Sequence, residues 1–168
     1  YPYPEGIFGA DVIATSDEGD LVLAAGPFNE ELTSHLVGWN VGAPGPAKLV
    51  DVGFHGYTHL YAAGRRVLAI HLSRGFDVLD ADALVRGEGV FVGERHQFTD
   101  DSESFTLLSA GVGSGLAVVV GSFNASGTAD VFVVRLSDGV LLARRRGPVP
   151  PTYVKSVLSP SLRFHFWL

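Results

Sequence analysis

The chain has 168 residues, of which 46% are apolar, and this is enough for one domain with a buried core. Its formal net charge of −6 gives no general attraction to nucleic acid or to anionic membranes. The absence of cysteine excludes disulfides, thiolate metal sites and a cysteine nucleophile.

Residues 9–54 predict a first unit of four strands. Apolar, β-prone runs cover residues 10–16, 21–25, 35–41 and 48–54. An Asp-Glu-Gly-Asp turn separates the first two runs, and a Gly-Ala-Pro-Gly-Pro stretch separates the last two. Gly and Pro interrupt regular structure, so these stretches are expected to be turns.

Residues 55–94 predict a second, more compact unit with strands at 58–63, 66–72, 76–79 and 90–92. The stretch between the last two strands is the hardest to assign. Residues 81–86 allow one helical turn as an alternative to a loop.

Residues 95–147 predict a third unit, with strands at 104–111, 116–122, 130–136 and 140–143. The Gly-Val-Gly-Ser-Gly link at 111–115 lies between two strands, whereas a dinucleotide-binding glycine motif opens a helix. We therefore interpret it as a hairpin turn. A fourth unit, residues 148–168, begins after a Pro-rich joint and contains two predicted strands.

The units repeat at a nearly constant interval. The second strand of each unit begins at Leu21, Val67, Leu116 and Leu162, so the spacings are 46, 49 and 46 residues. A period of this length with four strands per unit is typical of β-propeller blades. The sequence thus predicts an all-β fold made of propeller blades of four antiparallel strands in a partial ring, with blades at 9–54, 55–94 and 95–147 and a half-blade at 148–168.

The junction between the last two units resembles that of WD-repeat propellers. It has an apolar strand at 131–136, a Ser-Asp-Gly turn, a second strand, and then a strand that ends in Ser-Pro at 159–160. The Gly-His and Trp-Asp signatures are missing, and Leu136 follows Arg135 where Trp-Asp is expected. The resemblance implies a degenerate, WD-repeat-like propeller.

Three and a half blades would leave two strand edges open, which propellers avoid by closing the ring. We expect either that the chain is a fragment of a longer polypeptide or that another chain completes the ring, as two copies would by giving seven blades. The lack of methionine, even at position 1, agrees with a processed or excised chain. No apolar run reaches the length of a membrane span, and we expect no membrane contact.

Few residues suggest chemistry. His55 and His59 are four residues apart and would share one face of a strand, which permits a metal site, but no further ligand lies between them. We favour histidines bonded to neighbouring backbone. Asp80 with Asp82, and the acidic stretch at 100–103, are interpreted as solvated turns because calcium-loop spacing is absent. No catalytic residue, metal or cofactor is predicted.

The loops that enter each blade, and the loops between the second and third strands, lie on one face of the predicted propeller. Its mixture of aromatic and charged residues is typical of protein-binding surfaces. The residues predicted to bind a partner are Phe28, Glu30, Glu31, Arg74, Arg95, Asp100, Asp101, Phe123, Arg144, Arg145 and Arg146. The alternative for each of these residues is a solvent-exposed position that binds no partner.

Two functions remain open. The favoured one is a non-catalytic scaffold that binds other protein subunits within a larger assembly. The other is part of an enzymatic or ligand-binding propeller that processes glycans or lactones, or gates a peptidase. The predicted inner strands at 12–15, 59–63, 106–109 and 155–159 are mostly small or apolar, which favours the scaffold. We expect no nucleic-acid binding by this chain alone, and an intracellular location is favoured without being fixed.

Overall fold

The described strands of the chain form three antiparallel sheets, each a meander of four consecutive strands. The structure is a computed structural model and describes residues 12–16, 18–27, 34–42, 48–53, 57–71, 75–98, 105–123 and 127–148. The first sheet contains β1 (Val12–Thr15), β2 (Leu21–Pro27), β3 (Ser34–Asn40) and β4 (Lys48–Gly53). The second contains β5 (His59–Ala63), β6 (Arg66–His71), β7 (Gly75–Asp80) and β8 (His96–Gln97). The third contains β9 (Phe105–Gly113), β10 (Leu116–Phe123), β11 (Thr128–Arg135) and β12 (Leu141–Pro148).

The predicted hairpin turn between β9 and β10 is confirmed. Ser114 and Gly115 have φ angles of 48° and 78°. Two central residues with positive φ make the type of two-residue turn whose twist matches that of the strands it joins. The glycine-containing link therefore pairs β9 with β10 and opens no helix.

One short helix, α1 (Ala81–Arg86), follows β7. The sequence left this stretch open between loop and helical turn, and the helix has signals for both of its ends. The Asp80 side chain accepts a hydrogen bond from the backbone N–H of Ala83, and Gly87 ends the helix in the left-handed conformation with φ of 74°. Leu84 of this helix packs against Gly38 of the first sheet, where a larger residue would not fit.

The fourth strand of the second sheet differs from its prediction. Residues 90–92 contribute only an isolated bridge between Leu79 and Phe91, and β8 lies beyond the predicted unit boundary at residue 94. Gly93, with φ of 73°, turns the chain away from the ladder and packs against the backbone of Asp138 in the turn between β11 and β12. This contact between units cannot be recognised from local strand propensity.

The second sheet is packed on both faces because its side chains alternate along each strand. Val67, Ala69 and Leu79 point to the first sheet, whereas Leu68 and Ile70 point to the third. The first–second interface contains the buried residues Leu21, Leu23, Ala25, Leu36, Tyr57, Leu60, Val67, Ala69, Leu79, Ala81, Leu84 and Val90. The second–third interface contains Leu68, Ile70, Phe76, Val78, Phe98, Phe105, Ala117, Val119, Phe132, Val134 and Leu136.

The all-β prediction is confirmed, but the resemblance to WD-repeat propellers is wrong. The described residues form three separate four-stranded sheets and no closed propeller. The physical reason is that a period of 46 to 49 residues and a Ser-Asp-Gly turn report only a repeated antiparallel meander. They do not specify how meanders are arranged or which family they belong to. The predicted half-blade at 148–168 lies almost entirely outside the described residues, since β12 ends at Pro148.

Candidate functional site

Two aspartates are buried within otherwise apolar strands. Asp77 and Asp130 each have only 1% of their surface exposed, and each is the third residue of the third strand of its sheet. Asp77 pairs with Ala69 on the face towards the first sheet. Asp130 shares its face with Phe132, which packs towards the second sheet. Each interface between sheets therefore encloses one carboxylate, and a buried carboxylate needs compensating partners.

The Asp77 cluster consists of Asp77, Tyr57, Arg95 and His71. The Tyr57 hydroxyl donates a hydrogen bond to Asp77 Oδ2 over 2.6 Å. Arg95 donates from Nε to Oδ1 over 3.0 Å and from Nη2 to Oδ2 over 2.9 Å, a two-pronged contact that suits a planar carboxylate. His71 Nε2 lies 3.9 Å from Oδ2.

Electrostatics fix the protonation of two members of the Asp77 cluster, Tyr57 and Arg95. Burial raises the pKa of Tyr57 well above its ordinary value of 10, and the negative charge of Asp77 raises it further. The hydrogen bond to Asp77 likewise raises the pKa of Arg95. Tyr57 therefore stays a hydrogen-bond donor and Arg95 a cation at every physiological pH, so neither can accept a proton from a substrate.

The Asp130 cluster consists of Asp130, Arg144 and Arg146, with both arginines on the neighbouring strand β12. Arg144 Nε lies 2.8 Å from Asp130 Oδ2, and Arg146 Nε lies 2.6 Å from Oδ1. Arg144 also donates to the backbone carbonyl of Phe98, over 3.2 Å, and its guanidinium lies 4.9 Å from the ring centre of Phe132. This arginine thereby joins the third sheet to the second.

The two arginines determine the charge of Asp130. Burial alone would raise the pKa of its carboxyl group, but hydrogen bonds from Arg146 and Arg144 outweigh burial and lower the pKa below the ordinary value of 3.8. The carboxylate is therefore ionised at neutral pH and bound to two cations. A carboxylate in this state stabilises the fold. It has no proton to donate to a substrate, and its oxygens already accept hydrogen bonds from two arginines.

The lowered pKa of Asp130 predicts a loss of stability in acid. The contribution of a carboxylate whose folded-state pKa is depressed is complete above its ordinary value of 3.8 and disappears as the pH falls through the lower folded-state value. We expect Asp130→Asn to be less stable than the wild type at pH 7 and to show a weaker pH dependence in this acid range. Urea unfolding at a series of pH values measures both, and parallel pH profiles for the two proteins would contradict the assignment.

Both clusters lie at the same end of the sheets. Each is at the beginning of a third strand, where the loop between second and third strands emerges. The contact of Arg144 with Phe98, just after β8, brings the two ends together. This is the end at which the sequence predicted a partner-binding face.

The structure describes some of the residues predicted to bind a partner. Arg95, Arg144 and Arg146 belong to the two clusters, while Arg145 points to the opposite face of β12. The backbone of Phe123 ends β10. The other predicted residues lie outside the described residues: Phe28, Glu30, Glu31, Arg74, Asp100 and Asp101. A role in partner binding stays a prediction for all of them.

Sequence reasoning did not nominate Asp77 or Asp130 as site residues. A usable signal was present, because Phe-Asp-Val-Leu and Ala-Asp-Val-Phe each place one charge inside an apolar strand. Such a charge is rarely buried unless it is paired. The partners of these aspartates could not be predicted in the same way. Arg95 lies just before β8, and the sequence predicted that strand at residues 90–92 instead.

The other candidate groups have structural contacts. His59 is half-buried, with Nδ1 3.0 Å from Thr58 Oγ1, and its predicted companion His55 lies outside the described residues. Within the described ranges, no three His, Asp or Glu side chains come together as a metal site would require. Asp80 caps α1 and pairs with Arg66 over 2.7 Å. Asp82 lies 3.7 Å from Arg65.

The opposite end of the first two sheets is joined by a separate ion-pair group. Arg65, in the turn between β5 and β6, donates to both carboxylate oxygens of Asp20 over 2.9 and 2.7 Å. It also contacts Glu18 over 2.8 Å. Glu18 is exposed and the other two groups are partly exposed, so the pairs mainly fix the alignment of the two turns and add little stability. Among the described helices, none has the length and hydropathy needed to cross a membrane.

Comparisons with known proteins identify a structural likeness and no family. No protein-family model matches the sequence, and no curated protein matches it. The crystal structure of the computationally designed Ika4 protein is similar with a TM-score of 0.51 and 19% identity, over 84% of this chain and 75% of that chain. The computationally designed Ika8 protein has a TM-score of 0.47 and 18% identity, over 82% of this chain and 36% of that chain. The likeness to Ika4 concerns the fold alone, and none of these findings supports a WD-repeat assignment.

Proposed function

We propose that the chain is a non-catalytic interaction scaffold that works within a multi-subunit assembly. The observation that carries this proposal is the outer face of the third sheet, the face turned away from the second sheet. It carries the apolar side chains of Leu116, Val118, Val120, Val131 and Val133 from β10 and β11, with Arg135 and Arg145 at its margins. Val118 is buried, and the other four apolar side chains are half-buried. Neither apolar cluster of the described residues includes any of them.

The other interfaces of the chain indicate what would cover this face. The second sheet is contacted on both sides by sheets of the same kind, through aliphatic side chains and, towards the third sheet, also through four phenylalanines. The outer face shares the aliphatic part of this composition, because β10 and β11 are apolar on both faces. Strands of that kind are typical of sheets buried on both sides. A further antiparallel sheet, supplied by a second polypeptide, would continue the existing stack.

We also propose that the three sheets are blade-like units arranged around their first strands. This is supported by β5, which contacts β1 on one side and β9 on the other. A fourth sheet placed on the outer face would then extend the array in the direction that the first three define. A second copy of the chain is the first candidate to supply it, since its sheets have the required shape and composition.

The chemistry of the two clusters favours a scaffold over an enzymatic or ligand-binding propeller. An acid or base catalyst needs a group that can exchange a proton at the working pH. The buried carboxylates of the described residues are instead bound to arginines, and Tyr57 is held protonated. No contact among the described residues favours the enzymatic alternative.

The mass of the chain in solution tests this proposal. Light scattering at several concentrations should show a shift from 17.8 kDa towards twice that mass, 2 × 17.8 = 35.6 kDa. Val133→Glu should abolish the shift by placing a charge on the outer face, and circular dichroism should show that the variant is folded. Val140→Glu is the matched control, because Val140 is already 45% exposed outside this face, and it should associate like the wild type. A folded wild-type monomer at every concentration, or a dimer insensitive to Val133→Glu, would contradict the proposal.

A further inference from the structure

We propose that the edge strand β12 binds an acidic, extended segment of another protein, which joins the third sheet as an additional antiparallel strand. This surface differs from the outer face considered above, because it is the hydrogen-bonding edge of the sheet and is separate from its apolar side. Arg145 of this edge also lies on the outer face, beside Val131, so peptide binding is measured at chain concentrations too low for self-association.

The edge is long and exposed. Of the strands described, only β11 pairs with β12. Six of the eight residues of β12 are exposed, namely Leu141, Leu142, Arg144, Arg145, Arg146 and Pro148. The edge of the second sheet, β8, has only two residues, and β9, at the other edge of the third sheet, contacts β5. An edge strand directs alternate N–H and C=O groups away from its sheet, where they can pair with an incoming strand.

The charge of the edge selects the kind of strand that can bind. Among the described residues of this edge, the guanidinium groups of Arg144, Arg145 and Arg146 face the single carboxylate of Asp130, which leaves a local excess of 3 − 1 = 2 positive charges. This excess lies in a chain whose net charge is −6. Opposite charges on directly facing residues of neighbouring strands attract, and like charges repel. An acidic strand therefore fits this edge and a basic one does not.

The sequence along the edge also sets the direction of the partner. Val140, Leu141 and Leu142 precede the arginines and are 45%, 38% and 47% exposed. A strand antiparallel to β12 would be complementary if its amino-terminal half were acidic and its carboxyl-terminal half apolar. Two copies of β12 pairing with each other would set arginine against arginine, so self-pairing of this edge is disfavoured.

Arg145 provides the cleanest probe of the proposal. Arg144 and Arg146 are engaged with Asp130, so replacing them would disturb the interface between sheets. Arg145 points to the other face of β12, opposite Val131, and lies outside the Asp130 cluster. Its replacement should leave the fold intact and change the charge that an added strand meets at the margin of the outer face.

The probe is a fluorescently labelled synthetic peptide with three glutamates followed by alternating threonine and valine. Fluorescence anisotropy should show saturable, salt-sensitive binding to the full chain below about 1 mM. A peptide with lysines in place of the glutamates should not bind. Arg145→Glu should weaken binding of the glutamate peptide at least about tenfold and should strengthen binding of the lysine peptide.

A modified peptide separates strand addition from simple charge attraction. Methylation of alternate backbone nitrogens on the side that faces β12 removes the hydrogen-bond donors and leaves every charge in place. We expect this peptide to lose binding, whereas methylation on the other side should not matter. The absence of binding by the glutamate peptide, equal binding by both methylated peptides, or equal binding to wild type and Arg145→Glu would each overturn the proposal.

Discussion

Replacing Phe76 by alanine is expected to destabilise the folded chain by about 3–5 kcal/mol, the usual cost of truncating a fully buried aromatic side chain. Phe76 has no exposed surface. Its ring centre lies 5.6 Å from that of Phe98 and 5.7 Å from that of Phe132, so it contacts the third sheet directly. The loss should combine the transfer of the ring to water with a cavity between two sheets that cannot easily collapse.

Urea unfolding followed by circular dichroism measures this effect. Phe91→Ala is the matched control, because Phe91 is 39% exposed and its main contact is the guanidinium of Arg95, 4.7 Å from its ring centre. The control should cost less than about 1 kcal/mol. If the two variants were equally destabilised, the aromatic interface between the second and third sheets would not be the core of the fold.

Removing both arginines of the Asp130 cluster is the second large effect. In Arg144→Ala/Arg146→Ala the carboxylate, only 1% exposed, would keep its charge without a cation. Breaking a buried ion pair from one side costs about 3–5 kcal/mol, and the half-exposed guanidinium groups place our expectation near the lower end, about 3 kcal/mol. The loss should shrink in acid, where the carboxyl group becomes neutral.

A third substitution decides whether the unpaired charge is the cause. Adding Asp130→Val to the double variant removes that charge and should restore most of the stability, because replacing all members of a buried ion pair by apolar groups is often neutral. Arg145→Ala is the control within the same strand and should have almost no effect, since Arg145 lies outside the cluster. A double variant that remains as stable as wild type, or one that Asp130→Val does not rescue, would contradict this assignment.

How much of the fold could be predicted from the sequence depended on how far apart along the chain the interacting residues lie. The β9–β10 hairpin could be predicted because Ser114 and Gly115 supply a local turn, and the repeated strands are local in the same sense. The fourth strand of the second sheet could not, because its position depends on the contact of Gly93 with Asp138, 45 residues later in the chain. Family membership also failed, since a repeated meander is compatible with several arrangements of sheets.

The candidate site could likewise be predicted only where no contact between distant residues was needed. Arg95, Arg144 and Arg146 could be nominated as charged residues near loop ends, but their partners could not. Asp130 faces Arg146 only because β11 and β12 pair in one register, and Arg95 reaches Asp77 only after the chain has passed through α1. The sequence therefore indicated a charged end of the sheets, while the division of these charges into two clusters, each around one buried aspartate, required the structure.

The central claim is that the outer face of the third sheet is the surface on which another sheet assembles. Amide hydrogen exchange at low and high protein concentration tests it most directly. At high concentration, exchange should slow in β10 and β11, which carry this face, and should stay unchanged in β6 and β7, which are already covered on both sides. Equal exchange of β10 and β11 at both concentrations, or protection gained only in the first sheet, would contradict the claim.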